Sequence, residues 1–296
     1  MVKSRFIKDE RTVVHASNYG DAGEKVVRID SDGRGLAGIL NRPCGIPAPA
    51  VVLMLHGFTG QKNEFQLAKT GIGLFAYAAA KLAEQGIATL RIDFNGSGDS
   101  AGNWIDTTFS GQINDAMLAY DYLQTLRDVD GSRVGILGYS QGGLVASHVA
   151  ALRPQASAVV LWAPVTNPMS TFSNLVGAET VARAIAGEAS EEIRTKLSWG
   201  GETTLKAAFY KELPLFAPAV AISRYHGPLR VVVGRREMIV APQPAEGRSL
   251  LTHHGGVNDL VEVDSGHDWN AETSPDTVEN VLIPSTVEWF GRFLNV

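Results

Sequence analysis

The chain has 296 residues, 45% of them hydrophobic and 19% charged, enough to bury one large core. A formal net charge of -5 supplies no basic stripe for releasing counterions from nucleic acid, so a polyanion partner is disfavoured and a small-molecule partner expected. The single cysteine, Cys44, cannot close an internal disulfide, and no Cys or His cluster has zinc-ligand spacing, so no metal or cofactor is implied.

Residues 1–12 mix Lys3, Arg5, Lys8, Asp9, Glu10 and Arg11 without the apolar run of a secretory leader; with the cysteine count, this points to the cytoplasm. The apolar stretch 71–83 contains Lys81, is too short to span a bilayer, and predicts a buried helix. The runs 25–29 and 36–40 predict an antiparallel hairpin at the leading edge of a sheet, joined through Asp30-Ser31-Asp32-Gly33-Arg34-Gly35. Six aliphatic runs follow, at 51–55, 87–92, 133–137, 158–161, 229–233 and 260–263, each read as a fully buried strand. Helical spacing of apolar residues appears at 74–82, 113–126, 143–152, 244–251 and 278–293. This alternation predicts an α/β fold, a mostly parallel central sheet with helices on both faces and its ligand site at the carboxyl ends of the strands. One stretch breaks the rhythm. Between 165 and 227 no strand-like run returns, while 178–186 and 191–197 read as short helices, so this segment is read as a helical cap inserted in a core of residues 1–164 and 228–296.

The strongest motif is Gly138-Tyr139-Ser140-Gln141-Gly142-Gly143, a G-x-S-x-G between a strand and a helix. Such a turn needs small residues at Gly138 and Gly142, lifts the Ser140 hydroxyl above the sheet, and frees the Gln141 amide at a helix N-terminus. A serine hydroxyl needs a base. Of seven histidines, His267 follows the last strand-like run in Asp264-Ser265-Gly266-His267-Asp268-Trp269, whereas His148, His253 and His254 sit on helices or at their ends. The base in turn needs a carboxylate to hold its tautomer. Glu237 is the only one in the loop after 229–233, and the alternative position, 162–170, holds no Asp or Glu. A surface glutamate paired with Arg235 or Arg236 is the competing reading. His56-Gly57-Phe58-Thr59-Gly60, directly after 51–55, would offer the Phe58 amide beside that of Gln141 to a developing oxyanion. Asn95-Gly96-Ser97-Gly98-Asp99-Ser100-Ala101-Gly102 lacks the spacing and the lysine of a phosphate loop and reads as a loop beside the site, with Asp93 and Asp99 stabilising it.

These motifs, in this order, resemble the α/β-hydrolase superfamily, within it the group of cinnamoyl and feruloyl esterases, serine-aminopeptidase-like hydrolases and monoacylglycerol lipases. The similarity runs through His56-Gly57-Phe58, Asp93 to Ser100, the Ser140 turn, the Glu237 loop and Ser265-Gly266-His267. The family more often has Asp where this chain has Glu237, and Arg-Gly-His or similar in place of Asn95-Gly96-Ser97. The resemblance implies a small helical lid over the site. The expected activity is carboxylic ester hydrolysis by Ser140, His267 and Glu237, with Trp199, Phe209, Tyr210 and Phe216 of the cap lining a pocket for an aromatic or medium-length group. Thioester, peptide and carbon–carbon hydrolysis use the same apparatus, and a non-catalytic ligand-binding module is the alternative from another class. The sequence leaves open whether the chain acts alone or as a homodimer.

Overall fold

The computed structural model describes residues 12–13, 23–31 and 34–294. The stretch read for a leader therefore lies outside the described residues except for Thr12, as do Asp32 and Gly33 of the hairpin loop. At one sheet edge β1 (Thr12–Val13), β2 (Gly23–Ser31) and β3 (Arg34–Arg42) pair antiparallel, so the expected hairpin is present with a further short strand outside it. β4 (Val51–Leu55), β5 (Ala88–Ile92), β6 (Val134–Tyr139) and β7 (Ala158–Trp162) then run parallel and are buried at every position. Alternate side chains of each strand serve opposite cores. Val52 and Met54 pack with Leu74, Phe75 and Leu82 of α1 (Leu74–Glu84). Val51, Leu53 and Leu55 share the other core with Ile113 and Ala116 of α2 (Phe109–Leu123) and Leu144 and Val145 of α3 (Gln141–Leu152).

The segment 165–227 contains α4 (Pro168–Val176), α5 (Ala178–Ala186), β8 (Glu192–Lys196), β9 (Glu202–Lys206), α6 (Ala207–Glu212) and α7 (Pro218–Ile222). The reading of 191–197 as a helix, and of the segment as free of strands, is thus corrected: β8 and β9 form a separate antiparallel hairpin. Ile193 and Thr195 point inward while Glu192, Arg194 and Lys196 are exposed, a period of two that the charged helix-formers between them obscure.

The parallel sheet resumes with β10 (Leu229–Gly234) beside β7 and ends with β11 (Asn258–Val263), giving the order β1-β2-β3-β5-β4-β6-β7-β10-β11. β11 is not fully buried as expected: only Val263 is, and as the edge strand it carries Asp259 and Glu262, paired with Arg230, Arg235 and Arg248. Charges along an exposed edge oppose pairing with another chain. α8 (Ala245–His253) bridges these two strands, and a π-helical turn (Val278–Leu282) leads into α9 (Ile283–Phe293), whose Trp289 and Phe290 join α1 on its face of the sheet. Among the described residues, no helix is long and apolar enough to cross a membrane.

Candidate active site

β6 ends in a turn so tight that a Cβ on Gly142 would stand 2.0 Å from the Leu55 carbonyl oxygen of β4, and one on Gly138 2.3 Å from the Gly142 carbonyl. Only glycine fits. Ser140 between them is held at φ 54°, ψ -117°, a left-handed setting costly for a residue with a Cβ. Its own backbone is pinned by Trp162 and Val165, since its amide donates to the Trp162 carbonyl at 2.8 Å and its carbonyl accepts from the Val165 amide at 3.0 Å. The strain is held by these bonds.

The Ser140 hydroxyl donates to His267 Nε2 at 3.0 Å, and His267 Nδ1 donates to Glu237 Oε2 at 2.6 Å. That second bond fixes the tautomer: with Nδ1 carrying the proton, Nε2 is left as the acceptor facing the serine. Glu237 is buried, and its other oxygen accepts from the Ile239 and Val240 amides at 2.7 and 3.0 Å. It is not a surface partner of the neighbouring arginines, because Arg235 pairs with Glu262 and Arg236 with Asp264. His267 is steadied from below, where Tyr139 donates its hydroxyl proton to the His267 carbonyl at 3.0 Å and lays its ring 5.2 Å from the imidazole. His148 and His253 spend Nδ1 on carbonyls of their own helices, and buried His254 accepts from the Gly256 amide.

Ser140 and His267 open into a cavity of about 590 Å³ whose wall includes Phe58, Phe65, Trp199 and Ile239. Among the described residues, neither the Phe58 amide nor the Gln141 amide has an acceptor within the protein. The Gln141 side chain is turned away to donate to Gln112 at 2.5 Å. Buried His56 fastens the Phe58 turn from behind, Nδ1 donating to the Gly57 carbonyl at 2.9 Å and Nε2 accepting from the Phe94 amide at 3.2 Å. Burial lowers its pKa to about 4, so the ring is neutral near neutrality.

Of the four aromatic residues expected to line the pocket, the structure brings only Trp199 to the cavity wall, where it is 47% exposed. Phe209 and Tyr210 are buried, Phe209 stacking on Phe109 at 4.8 Å and reaching Phe58 only from behind, while Phe216 packs on His148. The sequence reading also missed Lys62 and Glu64. Lys62 bonds Asp93 through both its amide and its ammonium, and reaches Asp99, tying the loops after β4 and β5 together. Opposite charges in the loops that follow two strands paired in register were the available signal.

A family model described as serine aminopeptidase, S33, matches residues 47–231, which hold Phe58, Ser140 and Gln141 but end before Glu237 and His267. An uncharacterised protein of Mycobacterium tuberculosis is 32% identical over 156 residues, covering 52% of this chain and 50% of its own length. Acylamino-acid-releasing enzyme 2 of Oryza sativa subsp. japonica is 23% identical over 253 residues, 83% of this chain and 30% of that protein. The chain thus spans half or less of the length of these curated relatives. Among solved structures, ferulic acid-bound Est1E of Butyrivibrio proteoclasticus superimposes with a TM-score of 0.68 at 22% identity, over 90% of this chain and 99% of that one. DcsB in complex with its substrate analogue gives 0.72 at 17% identity, over 91% and 99%. At these identities the two structures bear on the fold alone, and with the family match spanning more than half of the residues, the chain belongs to the serine aminopeptidase S33 family of α/β-hydrolases.

Proposed function

We propose that the protein is a serine-dependent carboxylic ester hydrolase that works through an acyl-enzyme on Ser140. The observation that carries this reading is the hydrogen-bonded line from Ser140 through His267 to Glu237, with Ser140, His267 and Phe58 in the wall of one cavity and the Phe58 and Gln141 amides without an acceptor among the described residues. In the first step His267 Nε2 takes the hydroxyl proton as Ser140 Oγ bonds to the ester carbonyl carbon, whose oxygen becomes an anion held by the two amides. Collapse breaks the bond to the alcohol, which leaves with the proton from His267. Water then repeats the sequence on the acyl-serine, releasing the acid and restoring Ser140. Glu237 stabilises the imidazolium formed in each half.

Residues 165–227 serve as a cap on the core of 1–164 and 228–296, contributing Trp199 to the wall. Phe58, Phe65 and Trp199 suit an aromatic or medium-length apolar group, and the ferulic acid bound by the similar Est1E structure is a ligand of that kind. A neighbouring cavity of about 780 Å³ shares Thr59 and Gly60 with the first, leaving room for the other half of an ester. The family description and the acylamino-acid-releasing relative favour amide hydrolysis as a second reading.

The test is hydrolysis of p-nitrophenyl esters, aromatic methyl esters and N-acylaminoacyl amides by the wild type and Ser140→Ala. Ester turnover that vanishes in the alanine variant supports the esterase. Wild-type turnover of amides alone selects the second reading, and normal turnover by Ser140→Ala overturns both.

A further inference from the structure

Glu64 is a buried carboxyl that the hydrolytic steps leave unused. It lies in the wall of the cavity that holds Ser140, is 8% exposed, and sits at φ +57°, a strained setting for a residue with a Cβ. Its Oε1 accepts from the Gly57 amide at 2.5 Å. Gly57 lies close against the nucleophile, since a Cβ there would stand 3.3 Å from Ser140 Cβ, and the next amide along is that of Phe58. Glu64 therefore fastens the strip of backbone that faces the developing oxyanion.

The surrounding charges give an ionised Glu64 nothing to pair with. The Lys62 ammonium, two residues away, is held by Asp93 and Asp99 at 2.7 Å each. His56 is neutral, with both ring nitrogens occupied. His267 is engaged by Ser140 and Glu237. The remaining titratable groups in the cavity wall are Asp268, Glu272 and the Tyr139 phenol, and no Lys or Arg is among the described residues lining it. Burial accordingly pushes the Glu64 carboxyl up to about 8.

We propose that Glu64 is a positioning residue whose uncharged carboxyl clamps the oxyanion turn, and whose ionisation switches hydrolysis off. This rests on the esterase reading. The protonated carboxyl keeps one oxygen as acceptor for the Gly57 amide and adds no charge. Its carboxylate would hold the same amide but place a negative charge beside the negative oxygen of the tetrahedral intermediate, opposing the stabilisation that the Phe58 and Gln141 amides supply.

The experiment compares pH profiles of kcat for wild type, Glu64→Gln and Glu64→Leu, alongside the rate at which a fluorophosphonate labels Ser140, a reaction that needs no knowledge of the natural substrate. Glutamine keeps an acceptor oxygen and never ionises; leucine removes the clamp. Wild-type kcat and labelling should both fall as pH rises through about 8, roughly tenfold per pH unit beyond it, as for any single ionisation to an inactive form. Glu64→Gln should still turn over ester at pH 7 and show a flat profile to pH 9.5, while a folded Glu64→Leu protein should lose kcat more than KM. An alkaline fall that persists in Glu64→Gln, or a Glu64→Leu protein with wild-type kcat, overturns the proposal. Labelling without turnover of any ester would defeat the esterase reading yet still test Glu64 through the labelling profile. No labelling at any pH would defeat the serine-hydrolase reading and the role of Glu64 with it.

Discussion

Glu237 holds His267 at 2.6 Å with one carboxyl oxygen while the other is bound by two amides of its own loop, so the length of its side chain spans a fixed gap between backbone and imidazole. Aspartate is one methylene shorter and cannot satisfy both ends. On the proposed mechanism, Glu237→Asp is expected to lower kcat by about 10²-fold, the usual effect of a misplacement of about 1 Å in the catalytic machinery. Glu237→Gln should cost on the order of 10⁴-fold by favouring the wrong imidazole tautomer. Steady-state kinetics on one ester checks both, and a Glu237→Asp enzyme with wild-type kcat would show that the loop adapts.

Stability should depend on pH through buried groups with opposite signs. Glu64, raised to about 8 from 4.5, keeps a proton in the folded state that the unfolded chain has lost, so its contribution is full below 4.5 and declines as pH rises to 8. His56, lowered to about 4 from 6.5, contributes fully above 6.5 and loses that contribution as pH falls through 4. His148 and His254, also lowered by burial, act with His56 below 6.5 against Glu64, which is left alone above 6.5. Urea unfolding should therefore show stability falling between pH 6.5 and 8, by up to about 1.4 kcal/mol per pH unit. The same titration on Glu64→Gln should be flat there; an unchanged slope would assign it to another group.

Phe209 is fully buried against Phe109, Phe172 and Phe58, whereas Trp199 is half-exposed at the cavity. Truncation should separate them. Phe209→Ala is expected to destabilise the fold by about 3–5 kcal/mol in urea unfolding. Trp199→Ala should leave the unfolding midpoint nearly unmoved and raise KM for aromatic esters.

Lys62 pairs with buried Asp93, so removing Lys62 strands a buried carboxylate, whereas removing Asp93 leaves Lys62 its second partner, Asp99. Lys62→Met should cost about 3–5 kcal/mol, as when one half of a buried pair is deleted. With Asp93→Asn added, the loss should be clearly less than the sum of the two single losses, and a double-mutant cycle that came out additive would mean that the pair is not coupled.

The central strands were legible because burial on both faces writes a continuous apolar run, and the Ser140 turn because backbone crowding, by Gly142 at Gly138 and by Leu55 of β4 at Gly142, demands glycines at a fixed spacing around the serine. His267 and Glu237 were legible through their places just past strands. Other features depend on what the chain meets in space. Phe209, Tyr210 and Phe216 have the composition of a pocket and of a core alike, and only the packing of α2 and α6 against Phe58 puts Phe209 inside. Glu64 looks like any surface glutamate until the turn after β4 folds back to offer it the Gly57 amide. The β8–β9 hairpin was missed because its inward face is written in only a few alternate residues.

The serine, the carboxylate and the imidazole follow β6, β10 and β11, and Ser140 and His267 are 127 residues apart in the chain. Parallel pairing across such separations is slow to form, since loop closure precedes any contact that rewards it. A chain emerging from denaturant can therefore assemble its helices and inner strands, nucleophile included, while the outermost strand is still undocked and the serine has no base. The hydrogen bond from Ser140 to His267 therefore requires the loop after the edge strand to be in place, and a molecule in which that strand is undocked holds Ser140 without its acceptor.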